Sequence, residues 1–203
     1  MDELKELIEY IIAIEFPDGE FTEDNKQFLI EYSINKKPSV NRVLKEIGSE
    51  IKSETEYLKK YPQVKALKEV LQDRHNTFIS KVNSDMKTGK NAFDRDFTLF
   101  LKWWYNQKRE CYYCGIRGDV VKEAFESGII ASKKRSFSGT LQIDKKNPDK
   151  GYNKDNCVFA CVLCNNAKSD MITSEDFKKI LAPAFSDYWK EIEKRLKEKN
   201  SDK

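Results

Sequence analysis

The chain is 203 residues long, which suits one ordinary domain or two small ones. With 39% hydrophobic and 12% aromatic residues it can bury a core, so wholesale disorder is excluded. Charged residues make up 35% and the net charge is +3, while the aliphatic run Ile11-Ile12-Ala13-Ile14 falls far short of the ~20 residues a membrane span needs.

In chain order, Leu4, Leu7, Ile8, Ile11 and Ile12 recur at helical spacing, and Pro17-Asp18-Gly19 supplies turn chemistry to end that helix. A second helix is expected over 24–35, with Pro38 breaking it. Val43, Leu44, Ile47 and Ile51 mark a third helix, and Val64 to Val82 a fourth behind Pro62. Lys87-Thr88-Gly89-Lys90 is a polar break. Phe93, Phe97, Phe100, Leu101 and Trp104 then form an aromatic stripe, read as core packing and not as a platform for stacking bases. The sole histidine, His75, reads as a surface residue of this helical region.

From Cys111 the texture changes to short irregular segments. Cys111-Tyr-Tyr-Cys-Gly115 reads as a knuckle turn, 119–130 as a short helix, and Ser132 to Gly139 as a basic stretch of small residues. Leu141-Gln142-Ile143 alternates as a strand entering Asp144, Asn147 to Gly151 is a loop, and Cys157 to Ala160 is a second strand. Cys164 to Asp170 is expected to be a short helix. Thr173 is placed to cap the next one, with Asp176 at its third position. Phe177, Leu181, Phe185, Tyr188, Trp189, Ile192 and Leu196 form an apolar stripe towards the C-terminus, with Pro183 a kink or restart and 197–203 fraying.

Five cysteines behind an acidic Met1-Asp2-Glu3 start, which is not a signal peptide, point to a cytoplasmic protein without a disulfide framework. Four of them form two C-x-x-C pairs, Cys111/Cys114 and Cys161/Cys164. Four thiolates suit tetrahedral Zn²⁺, and the two-residue spacing lets one turn present both sulfurs to one metal. With 46 residues between the pairs, such a zinc staples together the ends of a larger unit. It is structural, because protein fills every coordination position. Cys157 reads as a buried small hydrophobe. Charge follows the cysteines: 12 Lys/Arg stand against 7 Asp/Glu from Lys108 to Lys168, whereas residues 1–100 carry 16 basic and 19 acidic side chains. A local basic excess is the footprint of a phosphate-binding surface.

Between the pairs, a strand delivers Asp144 and a helix begins with Asn165, so one oxygen-loving cation such as Mg²⁺ or Mn²⁺ is expected between them. Lys146, Lys150, Lys154 and Lys168 are expected to hold a polyanion around it. That arrangement suits phosphodiester hydrolysis.

The combination C-x-x-C-G, I-D-x, G-Y-x-x-x-N and C-x-x-C-N-x-x-K, over roughly 111–170, resembles the HNH or ββα-metal endonuclease superfamily. The resemblance implies a β-hairpin plus helix with a catalytic divalent ion at Asp144 and Asn165, and with Asn156 orienting the general base. That family carries a histidine directly after the aspartate; here the position is Lys145, and a lysine of ordinary pKa is protonated at neutral pH. The expected fold is α+β. A mostly helical region, 1–108, precedes a small zinc-stapled HNH-like unit, 109–172, and a C-terminal helix, 173–203, packs on the core. The expected function is a metal-dependent DNA endonuclease in which Lys145 or a solvent-derived base acts with the cation. The alternative is a catalytically inactive, zinc-stabilised module that binds nucleic acid, RNA not being excluded, with Lys145 a phosphate clamp. A homodimer, or a protein partner docked on 1–108, is the reading for the helical region.

Overall fold

The computed structural model describes residues 2–37, 39–131 and 139–201. The chain divides into two compact units, Met1–Tyr105 and Asn106–Lys203. The architecture is α+β: many helices and one small antiparallel sheet. No helix among the described residues is long and apolar enough to cross a membrane.

The first unit is helical. α1 (Asp2–Glu15) buries Leu7, Ile8 and Ile11 at the spacing read from the sequence. α2 (Glu23–Phe28) starts in a capping box, Thr22 accepting from the Asn25 N–H while Asn25 accepts from the Thr22 N–H. It runs on as a π-helical turn, Leu29–Ile34. α3 (Val40–Glu46) is shorter than the apolar residues implied, because Gly48 at φ +70° supplies the left-handed conformation that closes a helix. The sequence reading missed α4 (Glu54–Lys60), although Ser53 with Glu56 three residues on is a cap signature, and Ser53 Oγ does accept from the Glu56 N–H. α5 (Pro62–Met86) begins on its proline, the one helical position where a missing N–H costs nothing.

The aromatic stripe is core. Phe93, Phe97, Phe100, Leu101, Trp103 and Trp104 are buried; Phe100 meets Phe93 edge-on and Trp104 tilted, and lies near-parallel to Phe97. It is not one helix, however. Phe93, Asp94 and Arg95 all take positive φ in a tight turn before α6 (Phe97–Asn106) begins. His75 is half-buried against the Phe97 and Phe78 rings, so the surface reading of it does not hold.

In the second unit, α7 (Gly118–Glu126) ends earlier than the expected residue 130. The basic stretch read over 132–139 lies, up to Ser138, outside the described residues. β1 (Gln142–Lys145) pairs antiparallel with β2 (Cys157–Ala160), in the register Gln142–Ala160, Asp144–Val158 and Lys145–Cys157. α8 (Val162–Lys168) follows directly and packs on β1. α9 (Ser174–Asp176) is capped by Thr173, whose Oγ1 accepts from the Asp176 N–H as the sequence indicated.

A second π-helical turn, Phe177–Leu181, leads into α10 (Ala182–Ser201), with Pro183 in the first turn of the restarted helix. The extra residue of a π turn rotates the helical phase. Trp189, Ile192 and Leu196 reach the core beside Phe177, whereas Leu181 and Tyr188, which the stripe had included, are exposed. Helix α10 continues to Ser201 through the stretch expected to fray. Trp189 is 1% exposed and sits among Val120, Val121, Val158 and Ala160 in this core. Trp189→Ala is therefore expected to cost about 3–5 kcal/mol, measured by denaturant melting followed by far-ultraviolet circular dichroism. A loss below about 1 kcal/mol would show that the helix does not hold this core together.

Candidate metal centre and hairpin site

Two short pieces of chain meet at the cysteines. The first is a miniature hairpin, in which Glu110 bridges Arg117 and the Cys111 N–H donates to the Ile116 carbonyl at 2.8 Å. Its turn closes with the Gly115 N–H on the Cys111 carbonyl at 2.9 Å, and Gly115 takes φ +77°, which a side chain would oppose. The Tyr112 N–H, donating to the Phe159 carbonyl at 2.7 Å, ties this knuckle to β2. The second piece is the junction of β2 and α8, where Cys161 caps the helix and its sulfur accepts from the Cys164 N–H at 3.4 Å.

The four sulfurs lie within 4.8 Å of one another, and Cys114 Sγ is 3.8 Å from Cys161 Sγ. A tetrahedron with metal–sulfur bonds of about 2.3 Å has edges of about 3.8 Å. The donor set and its spacing therefore fit a tetrahedral thiolate metal site. At this separation each thiol bears on its neighbours' ionisation. Cys111 is drawn below its ordinary value by its contact with Cys114, while Cys114 and Cys164 are pushed above theirs, chiefly by Cys111. Cys157 is buried on β2 and is not one of the four.

Alternation along β1 separates the remaining candidates. Gln142 and Asp144 share the face that turns towards α8 and the core, while Ile143 and Lys145 point the other way. Asn165 belongs with the first group: its Nδ2 donates to Gln142 Oε1 at 2.7 Å. Asp144 and Asn165 therefore flank one side of the hairpin, with Gln142 and Asp144 about 7 Å apart along the strand.

Asp144 is 8% exposed and its Oδ2 has two partners. The Tyr113 hydroxyl donates to it at 2.5 Å, and Lys168 Nζ stands 3.4 Å away with its own side chain 1% exposed. Burial pushes the Asp144 carboxyl above the usual carboxylate range, against the pull of Tyr113 and Lys168. Tyr113 is pushed far up by burial and by the carboxylate it donates to. Neither partner was singled out as such from the sequence. The one signal for Tyr113 was its place inside the first C-x-x-C pair.

The other expected residues are placed as follows. Lys145 Nζ lies 4.7 Å from the centroid of the Tyr152 ring, as an ammonium sits over a π face. Asn156 is buried and pins the loop between the strands: Nδ2 donates to the Asn147 and Gly151 carbonyls at 2.8 Å each, and Oδ1 accepts from the Asn147 N–H at 3.0 Å. Its side chain holds loop backbone.

The four lysines do not form one cluster. Lys168 is sealed against Asp144 and Lys154 is exposed. Lys146 and Lys150 line a cleft of about 570 Å³ whose walls also carry Asp149, Asp155, Asp170 and Glu175. That mixed lining does not favour a polyanion inside the cleft.

No family model matches the chain, and no curated protein matches it. Among solved structures, the chain is similar to the rare-cutting HNH restriction endonuclease PacI, at 24% identity and a TM-score of 0.46, over 57% of this chain and 78% of that one.

Removing Lys168 isolates the problem it solves. Lys168→Met leaves Asp144 buried without its counter-charge, and losing one member of a buried pair costs about 3–5 kcal/mol. The folded-state pKa of Asp144 stands above its unfolded value even beside Lys168, and losing the ammonium raises it further. Protonation therefore supports the fold at low pH, and that support is lost as pH rises through the folded pKa. The stability gap between native and variant, from denaturant melts, is expected to be widest at neutral pH and to narrow as pH falls towards ~4. A gap that stays constant with pH would remove Asp144 from the explanation.

Proposed function

We propose that the second unit is a metal-dependent endonuclease of the HNH type, hydrolysing DNA phosphodiester bonds. The observation that supports it is the placement of Asp144, on β1, and Asn165, on α8, on the same side of a hairpin beside a four-cysteine cluster. On this reading the cysteines hold a structural Zn²⁺. Asp144 and Asn165 hold a hard divalent ion, Mg²⁺ or Mn²⁺, for which a carboxylate and an amide oxygen are suitable donors. That ion supplies Lewis-acid chemistry at a phosphoryl oxygen.

The chain's own residues do the rest. Tyr113 fixes the Asp144 carboxylate by its hydroxyl, and Gln142 fixes the Asn165 amide. Lys168 balances the Asp144 charge and competes with a divalent ion for the same oxygen. Asn156 holds the loop that follows β1, so the backbone at Lys145 and Lys146 is set by that loop; the Lys146 N–H also donates to the Asn156 carbonyl at 2.8 Å. Lys145, turned away from Asp144 and resting on Tyr152, serves as a phosphate contact. The proton of the attacking water goes to solvent. The substrate is DNA, met on Lys145 and the exposed Lys154, with the helical region 1–108 contributing specificity or dimerisation.

One observation favours a second reading. Asp144 already has two partners, and no imidazole stands at position 145. A zinc-stabilised module that binds nucleic acid without cutting it would have these features.

Plasmid cleavage separates the two. With Mg²⁺ or Mn²⁺ added, the native protein is expected to nick or cut DNA, and Asp144→Ala to lower the rate at least about 10³-fold, equivalent to about 4 kcal/mol. Binding that weakens steeply with salt but never yields cleavage would establish the inactive module. Elemental analysis is expected to give one zinc per chain in both proteins. Cys161→Ser is expected to lose that zinc, and with it the cooperative unfolding of the second unit.

A further inference from the structure

The π-helical turn at Phe177–Leu181 brings a lysine out of the core beside the cysteine knuckle. Phe177 is buried, its ring meeting Tyr113 edge-on at 5.1 Å, and Lys178 follows it with an exposed side chain. Lys178 Nζ stands 3.8 Å from the centroid of the Tyr112 ring, as an ammonium rests on a π face. Among the described residues Lys178 forms no ion pair, and it lies outside the neighbouring cleft that Asp149, Asp155, Asp170 and Glu175 make acidic. Lys179, the next residue, is also exposed but rests on no ring among the described residues.

The ring beneath Lys178 is fixed in place. Tyr112 lies between the first two cysteines, and its N–H donates to the Phe159 carbonyl at 2.7 Å. The Tyr113 ring packs against it edge-on at 5.2 Å, and the Tyr113 hydroxyl reaches Asp144. Three consecutive contacts therefore connect the Lys178 ammonium to the Asp144 carboxylate.

A ring covered by an ammonium is a poor platform for a stacked base; what it offers is a lysine held in position. A free lysine loses rotamer entropy when a ligand immobilises it, and one already resting on a ring has lost part of that freedom beforehand. The ammonium carries three donors, so those turned away from the ring stay available to an oxyanion. The same construction recurs on the outward face of the hairpin, where Lys145 rests on Tyr152 at 4.7 Å.

We infer that Lys178, held on Tyr112, is an anchor for the DNA backbone. It contacts a phosphate flanking the one cut at Asp144, and Tyr112 acts through it as a positioning residue. The identity of the polyanion rests on the proposed nuclease reading.

Fluorescence anisotropy of a labelled duplex, with the zinc-loaded full chain and no added Mg²⁺ or Mn²⁺, reads binding apart from cleavage. Lys178→Gln is expected to weaken binding at least about fivefold, and to make the slope of log K against log salt less negative by about 0.9. Lys179→Gln removes the same charge one residue on, and is expected to bind within about twofold of the native protein with its slope unchanged. Tyr112→Phe keeps the ring and is expected to bind as the native protein does, whereas Tyr112→Leu is expected to weaken binding severalfold with zinc retained. An unchanged slope in Lys178→Gln, or equal losses in Lys178→Gln and Lys179→Gln, would overturn the inference. The two lysine variants decide this even if Tyr112→Leu fails to fold. Native protein that shows this Lys178 dependence but never cuts with Mg²⁺ keeps the anchor and removes the nuclease. Native protein that cuts, while Lys178→Gln binds as it does, removes the anchor alone; native protein that binds no DNA removes both.

Discussion

Four sulfur atoms closing on one point set the geometry of the second unit. The knuckle at Cys111 and Cys114 lies far in sequence from Cys161 and Cys164, and the sulfurs nevertheless come within 4.8 Å. Cys161 is the residue between β2 and α8, so fixing it fixes where the helix begins and therefore where Asn165 points. The same closure carries Tyr113 onto Asp144, since Tyr113 lies between the two cysteines of the first pair. In so small a sheet, two strands of four residues, hydrogen bonding alone gives little independent stability. The thiolate cluster and the Trp189 core stand in for the strands that are missing.

Within that frame the hairpin separates its chemistry by alternation. The inward face carries Gln142 and Asp144 towards α8, and the outward face carries Lys145 towards Tyr152. A carboxylate on the inward face is necessarily desolvated, and it persists there because a hydroxyl and an ammonium meet the same oxygen. The Asp144–Lys168 pair therefore maintains a charge in the core, and on the proposed function a divalent ion would have to compete with that lysine for the same oxygen.

Much of this was legible in the sequence. The cysteine spacing gave the thiolate cluster, the alternation from Leu141 to Asp144 and from Cys157 to Ala160 gave the hairpin, and Thr173 with Asp176 gave a cap. What escaped depends on long-range contact or on phase. Lys168 read as one of four lysines holding a polyanion, because nothing local shows that its helix folds the ammonium onto a buried carboxylate. Nothing local showed that the Asn156 side chain makes its three bonds to the loop backbone. Leu181 and Tyr188 read as core because a 3.6-residue period cannot anticipate a π turn that rotates the stripe. The 92–95 turn, with three successive residues at positive φ, broke a helix that the aromatic spacing had made continuous.

The central claim is that Asp144 and Asn165 share one hard cation. Electron paramagnetic resonance of Mn²⁺ titrated into the zinc-loaded protein reads this directly, without requiring cleavage. The account predicts one bound Mn²⁺ per chain, lost or weakened at least tenfold in both Asp144→Asn and Asn165→Ala with zinc retained in each. Mn²⁺ binding that is unchanged in Asn165→Ala would contradict it.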